Sequence, residues 1–135
     1  MSAFTEARFE PTGYKANGRS VFRAVGGFRF YIGYVESPLY ITVPDGFMTD
    51  GPSAPVWLLN LLPKSWLQAL VKPSCVHDFL REDQRFDKFD GDVQFLAAMR
   101  AAKVPKLLMF FAFIFVLTNQ SRAQRNPSLW TNTNG

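Results

Sequence analysis

The sequence predicts an α+β domain in which an N-terminal antiparallel β-meander of about three to four strands precedes three to four helices. Three observations lead there. Phe28, Phe30, Ile32 and Tyr34 alternate with Arg29, Tyr31 and Gly33, which gives one buried face at strand period. After Pro44-Asp45-Gly46 the chain changes character and its apolar residues recur at helical spacing. Near the end, Leu107 to Leu117 runs without a charge.

The first element is a short strand over 4–9, which Pro11-Thr12-Gly13 would end. Asn17-Gly18 is a hairpin-type turn signal. Strands over 20–25, 28–35 and 39–43 follow, separated by Gly26-Gly27 and by Glu36-Ser37-Pro38. Thr49 to Pro55 holds Gly51, Pro52 and Pro55 and reads as a loop. Ser53 can cap a short helix that Pro63 ends. Residues 65–71 read as helical, and Pro73 starts or kinks a further segment to about Glu82. A charged connector over 81–90 leads to a helix from Lys88 or Asp90 to Ala102. Pro105 opens the last helix, to about Gln120.

The 11 residues of 107–117 are too few for a membrane span, which needs about 20. They read as a helix buried all round in the core, with a membrane- or partner-contacting helix as the alternative. Residues 1–125 form one domain, and 126–135 a polar tail that is either loose or an arm for a partner.

Composition narrows the function classes. At 135 residues the chain can bury roughly two thirds of its unfolded surface. With 47% hydrophobic and 19% charged residues, bulk disorder is not expected. The net charge of +4 favours anionic partners without choosing among them. The basic residues are dispersed, from Arg8 and Lys15 to Arg122 and Arg125, so a nucleic-acid face is not expected. A single cysteine, Cys75, excludes an internal disulfide and a cysteine-rich zinc site. Met1 to Glu6 has neither a basic n-region nor an apolar h-region, so no signal peptide is expected. No glycine loop matches a nucleotide fingerprint.

The chemistry concentrates at Ser74-Cys75-Val76-His77-Asp78-Phe79, which holds the only histidine. Downstream, Phe89, Phe95, Leu96 and Met99 lie three, three, four and seven residues from Asp92 and share its helix face. A carboxylate in that stripe faces the core, and burying it unpaired costs several kcal/mol. His77 is the available imidazole, so Asp92 is expected to accept a hydrogen bond from one ring nitrogen and leave the other for a water or a metal. The alternative is that Asp92 bonds Tyr, Trp, Arg or backbone groups and that His77 is an ordinary interior residue. Asp78 projects about 100° away from His77 around the helix. With Asp50 and loop carbonyls it would suit a hard divalent cation, calcium or magnesium; for Asp50 a capping or turn role is the competing reading. Cys75 is turned away from His77 at this spacing, which argues against a Cys/His nucleophile.

The run Val43-Pro44-Asp45-Gly46-Phe47-Met48-Thr49-Asp50-Gly51-Pro52-Ser53-Ala54-Pro55 resembles the signature of a phage and prophage family, domain of unknown function 1353. His77-Asp78-Phe79-Leu80 resembles its His-Asp element, and Asp92 with Phe95 and Met99 resembles its Asp-x-x-Phe-x-x-x-Met helix. The resemblance covers roughly residues 20 to 118 and implies a phage or prophage origin, but no activity. It departs from the pattern at Leu80 or Arg81, where an aromatic is common, and at Pro52.

The order His77, Asp78, Asp92 is also similar to the helix pair of the secreted phospholipases A2. That likeness implies a histidine base, an aspartate that orients it and a calcium-binding aspartate. The disulfides and the glycine-rich calcium loop of those enzymes are not present.

Two readings follow. One is a small metal-assisted hydrolase acting on lipid or envelope material, with His77 and Asp92 catalytic and Asp50 and Asp78 as cation ligands. The other is a non-enzymatic virion or assembly protein, tail- or baseplate-associated, in which the polar cluster locks loop and helices. There the final helix and tail would bind neighbouring phage proteins or a second copy. Either would be made in the host cytoplasm, with the virion as a further location and the envelope as a further contact.

Overall fold

The computed structural model describes residues 1–16, 19–51, 56–82, 87–118 and 131–132. The α+β class holds: strands come first and helices follow. The strands are β1 (Ala3–Phe4), β2 (Arg8–Ala16), β3 (Arg19–Val25), β4 (Phe28–Tyr31), β5 (Tyr40–Val43) and β6 (Met48–Thr49). The helices are α1 (Val56–Leu59), α2 (Lys64–Glu82), α3 (Lys88–Ala101) and α4 (Lys106–Thr118), and β7 (Thr131–Asn132) comes last.

The expected meander is instead two antiparallel sheets, ordered β1-β4-β5 and β6-β3-β2-β7. The division falls at Gly26-Gly27, where φ is +83° and +70°. These left-handed residues turn the chain without pairing β3 to β4, a conformation glycine adopts without the Cβ penalty. At Gly27 a Cβ would lie 2.7 Å from the carbonyl oxygen of Val43, so the close approach of backbone requires glycine as well. Asp45 Oδ1 accepts the Gly26 N–H at 2.7 Å and fixes the corner.

The strand expected over 4–9 is likewise divided. Ala3 and Phe4 pair with β4, while β2 begins at Arg8 and pairs with β3. Pro11-Thr12-Gly13 does not end β2 but becomes a register shift between Pro11 and Lys15, a place where a strand tolerates proline. The Thr12 hydroxyl donates to the Val21 carbonyl there, at 2.9 Å. β4 stops at Tyr31, short of the expected 35, because Gly33 and Glu36 take positive φ. The period-2 expectation holds within β4 and β5: Phe28, Phe30, Ile41 and Val43 are buried, while Arg29 and Thr42 face out. The Asn17-Gly18 turn and the Ser53 cap lie outside the described residues.

Residues 64–82 form one helix with Pro73 inside, not two segments. Proline removes a backbone donor and disfavours a helix interior. Here Pro73 is itself buried, among Leu70, Ser74, Cys75, Val76 and Leu80 on α2, and tertiary packing carries the helix through. α3 starts at an Asp87 N-cap whose Oδ1 accepts the Asp90 N–H at 2.7 Å. It ends where Lys103 takes φ +59° and the Val104 N–H returns to the Met99 carbonyl.

One core joins the first sheet to α2 and α3 through Phe28, Phe30, Ile41, Val76, Leu80 and Ala98. A second joins the helices through Leu70, Phe95, Met99, Val104, Leu108 and Val116.

α4 corrects the expectation of all-round burial. Leu108 and Val116 are buried, but Leu107, Phe110, Phe111, Ile114 and Phe115 are exposed. The helix packs along one stripe and leaves the other uncovered, because the second core offers only one face to it. In the expected tail, Thr131 and Asn132 pair with Lys15 and Tyr14 at the edge of β2. The rest of 126–135 lies outside the described residues.

Candidate functional site

α2 and α3 are consecutive helices that pack on each other, and each brings one polar side chain inward at the same level. On α2, His77 and Asp78 are buried in a continuous run from Pro73. On α3, Asp92 is only 2% exposed. His77 Nε2 lies 2.8 Å from Asp92 Oδ1. A carboxylate only accepts, so Nε2 carries the hydrogen and Nδ1 of a neutral ring is the acceptor nitrogen. The imidazole also lies against Phe95, with ring centroids 4.8 Å apart and planes inclined by 33°.

The second oxygen of Asp92 goes to a residue that the sequence reading missed. Lys88 Nζ donates to Asp92 Oδ2 at 2.6 Å and to the Val116 carbonyl at 2.9 Å. The ammonium therefore ties α3 to the last turn of α4. Its signal was present: Lys88 is four residues before Asp92 and on the same helix face. Phe89, expected in that stripe, is 62% exposed. In the first turn of α3 it is Lys88 that turns inward, since a buried carboxylate needs a cation more than a further apolar neighbour. Phe95 and Met99 are buried as expected, and Leu96 is half-buried.

Burial alone would push the Asp92 carboxyl up. The hydrogen bonds from His77 and Lys88, with the charges of both, outweigh it and hold the group below the usual carboxylate value.

Asp78 is also buried, but it looks elsewhere. Its Oδ2 accepts the Thr49 hydroxyl at 2.7 Å, and Thr49 Oγ1 in turn accepts the Gly51 N–H at 3.2 Å. Asp78 thus fastens α2 to β6 and to the loop after it. Thr49 was a second missed residue, fully buried on β6. Asp50, between Thr49 and Gly51, is half-buried.

His77 and Asp92 are brought together, then, while Asp78 belongs to a separate contact with Thr49. Among the described residues no group of three or more His, Cys, Asp or Glu side chains could hold a metal ion. The Cys75 side chain is fully buried. Ser74 Oγ, one turn before His77, is buried without a hydrogen-bond partner.

The His77–Asp92 pair is closed off from solvent, and Lys88 is half-buried at its edge. The side chain of His77 is 10% exposed and that of Asp92 3%. Beside it runs an apolar groove of about 460 Å³, whose walls include Leu58 and Trp66 from α1 and α2, Phe95 from α3, and Leu107, Phe111 and Phe115 from α4. Phe95 separates groove from imidazole. Val116 also lines the groove, and its carbonyl takes the Lys88 ammonium. A larger cavity of about 850 Å³ lies between Phe4, Phe9, Tyr34, Lys72 and Lys103, and His77 does not line it.

Among the described residues, no helix is long and apolar enough to cross a membrane. A family model described as protein of unknown function (DUF1353) matches residues 29–116, a stretch that holds His77, Lys88, Asp92, Phe95 and Val116. Comparison with curated proteins and with solved structures returns no match.

Proposed function

The chain belongs to the DUF1353 family of proteins of unknown function, and we propose that it serves there as a non-catalytic docking module. The His77–Asp92–Lys88 cluster is its internal brace, and the outer face of α4 with the adjoining groove is its contact surface. One observation carries this reading: Leu107, Phe110, Phe111, Ile114 and Phe115 stand exposed on one face beside an apolar groove, while His77 and Asp92 are buried. Soluble monomers rarely leave a contiguous apolar patch of that kind uncovered, and such patches mark interaction sites. The phage or prophage origin implied by the sequence is part of the proposal and makes virion assembly or the cell envelope the setting.

The test is a surface variant, Phe110→Ser with Phe111→Ser. Wild type should self-associate in sedimentation velocity or adsorb to lipid vesicles, and the variant should do neither while melting within a few degrees of wild type. A wild-type chain that stays monomeric and binds no vesicle would remove the reading.

A second reading has its own observations. Phe95 touches the His77 ring and also lines the groove, and Ser74 Oγ is a buried unpartnered hydroxyl one turn away. Movement of Phe95 would open Nδ1 to an apolar substrate. A hydrolase of lipid or envelope material would then use His77 as general base and Asp92 to orient it. It would also assign Asp50 and Asp78 to calcium or magnesium. That reading expects ester-lipid turnover that His77→Gln abolishes, and a melting temperature raised by the cation and restored by chelator. Absence of both leaves the docking reading alone.

A further inference from the structure

Resting on the docking reading, we infer that the occupant of the α4 face is an anionic lipid bilayer, with the helix lying in the membrane surface rather than across it.

The chemistry of the face selects the partner. At 100° per residue, Leu107, Phe110, Phe111, Ile114 and Phe115 fall within one sector of about 140°. Outside that sector, Leu108, Ala112 and Val116 pack inward. The polar side chain that enters the exposed sector is Thr118, and its hydroxyl is turned back onto the carbonyls of Ile114 and Phe115, at 2.8 and 3.2 Å. Among the described residues, the face therefore presents no free side-chain hydrogen-bonding group. A protein interface carries about one hydrogen bond per 100–200 Å² and needs such groups. Hydrocarbon needs none and penalises those left unmet. Threonine that bonds its own helix is the form tolerated there.

The edges agree. Lys106 is exposed in the first turn of α4 and Lys103 in the connector before it, and Lys64 is exposed at the start of α2, next to the groove residues Leu62 and Trp66. The first turn of α4 holds no carboxylate to complement its positive end and opens instead on Lys106. Cations at that end are placed for an external anion, and a row of phosphate headgroups supplies one. On the adjoining α1 segment, Trp57 is 66% and Leu61 73% exposed, and indole is a side chain suited to the headgroup boundary. A 13-residue helix is about 20 Å long and fits flat in that boundary as an interfacial helix.

The experiment uses the full chain with vesicles of phosphatidylcholine alone and of phosphatidylcholine with about 30% phosphatidylglycerol. It is read by co-sedimentation and by Trp57 fluorescence in a Trp66→Phe, Trp130→Phe background that still melts cooperatively. Binding to the anionic vesicles with a blue shift of Trp57 is expected. Lys103→Gln with Lys106→Gln should weaken it roughly tenfold, and Phe110→Ser with Phe111→Ser should abolish it. Equal binding to both vesicle types would overturn the headgroup assignment. A dimer in sedimentation velocity that the serine pair dissociates, without vesicle binding, would overturn the bilayer as occupant yet keep the docking face. If neither vesicles nor a second copy is bound, both inferences fall.

Discussion

The interior between α2 and α3 and the outer face of α4 invert the usual distribution of polarity. At the first, a carboxylate and an imidazole occupy the inside and the half-buried Lys88 reaches in to them; Asp92 is 2% exposed. At the second, Phe110 and Phe111 are each 60% exposed on a helix without one charge after Lys106. The difference teaches that placement here follows partnership rather than hydrophobicity. Asp92 is inside because two donors meet its two oxygens, and the phenylalanines are outside because the second core has only one face for α4.

Removing a partner inside should therefore cost far more than removing a large ring outside. The largest loss is expected for Asp92→Ala, which strands His77 Nε2–H and the Lys88 ammonium: about 3–5 kcal/mol, or on the order of 10 °C in a thermal melt. A loss of only about 2 °C would mean that the cluster is not a brace. Lys88→Met comes next. It keeps the stem but deprives Asp92 Oδ2 and the Val116 carbonyl of their donor, and should cost about 1–3 kcal/mol in urea unfolding. Hydrogen exchange on the same variant should show whether α4 loosens, through faster amide exchange in its last turn.

Acid sharpens the comparison further. The Asp92 carboxyl is held below its ordinary value in the folded state, so the unfolded chain takes up the proton first as pH falls. Its contribution is full above the unfolded value, about 4, and is lost as pH drops through the folded value. A stability profile from pH 3 to 7 should show that acid limb, and Asp92→Asn should flatten it. The smallest effect is expected outside: Phe110→Ser with Phe111→Ser should change unfolding free energy by no more than about 1 kcal/mol. A larger loss would mean that those rings support the fold and not a partner.

Much of this was legible in the chain. Asp92 sits in a stripe with Phe95 and Met99, and one histidine was present to answer it, so the pair followed from helical spacing and the cost of an unpaired charge. Lys88 escaped because it stands where the charged connector meets the helix, and spacing alone does not say whether a boundary residue turns in. The two-sheet arrangement escaped for a different reason. Gly26-Gly27 marks a turn in either case, and only the pairing of β1 with β4 shows that the turn leads to a second sheet. Pro73 misled because proline disfavours a helix interior by local energetics, whereas burial around it is a property of the folded neighbours. For α4 the sequence conveyed total apolarity but not how many neighbours would arrive to cover it.

Lys88 gives the molecule a fastening whose strength a covalent modification could cancel in one step. Acetylation of its Nζ would erase the charge that faces Asp92 and thin out the donors available to Val116, leaving the imidazole as sole counterpart of the carboxylate. The contact between α3 and the last turn of α4 would then rest on one amide N–H and on apolar packing.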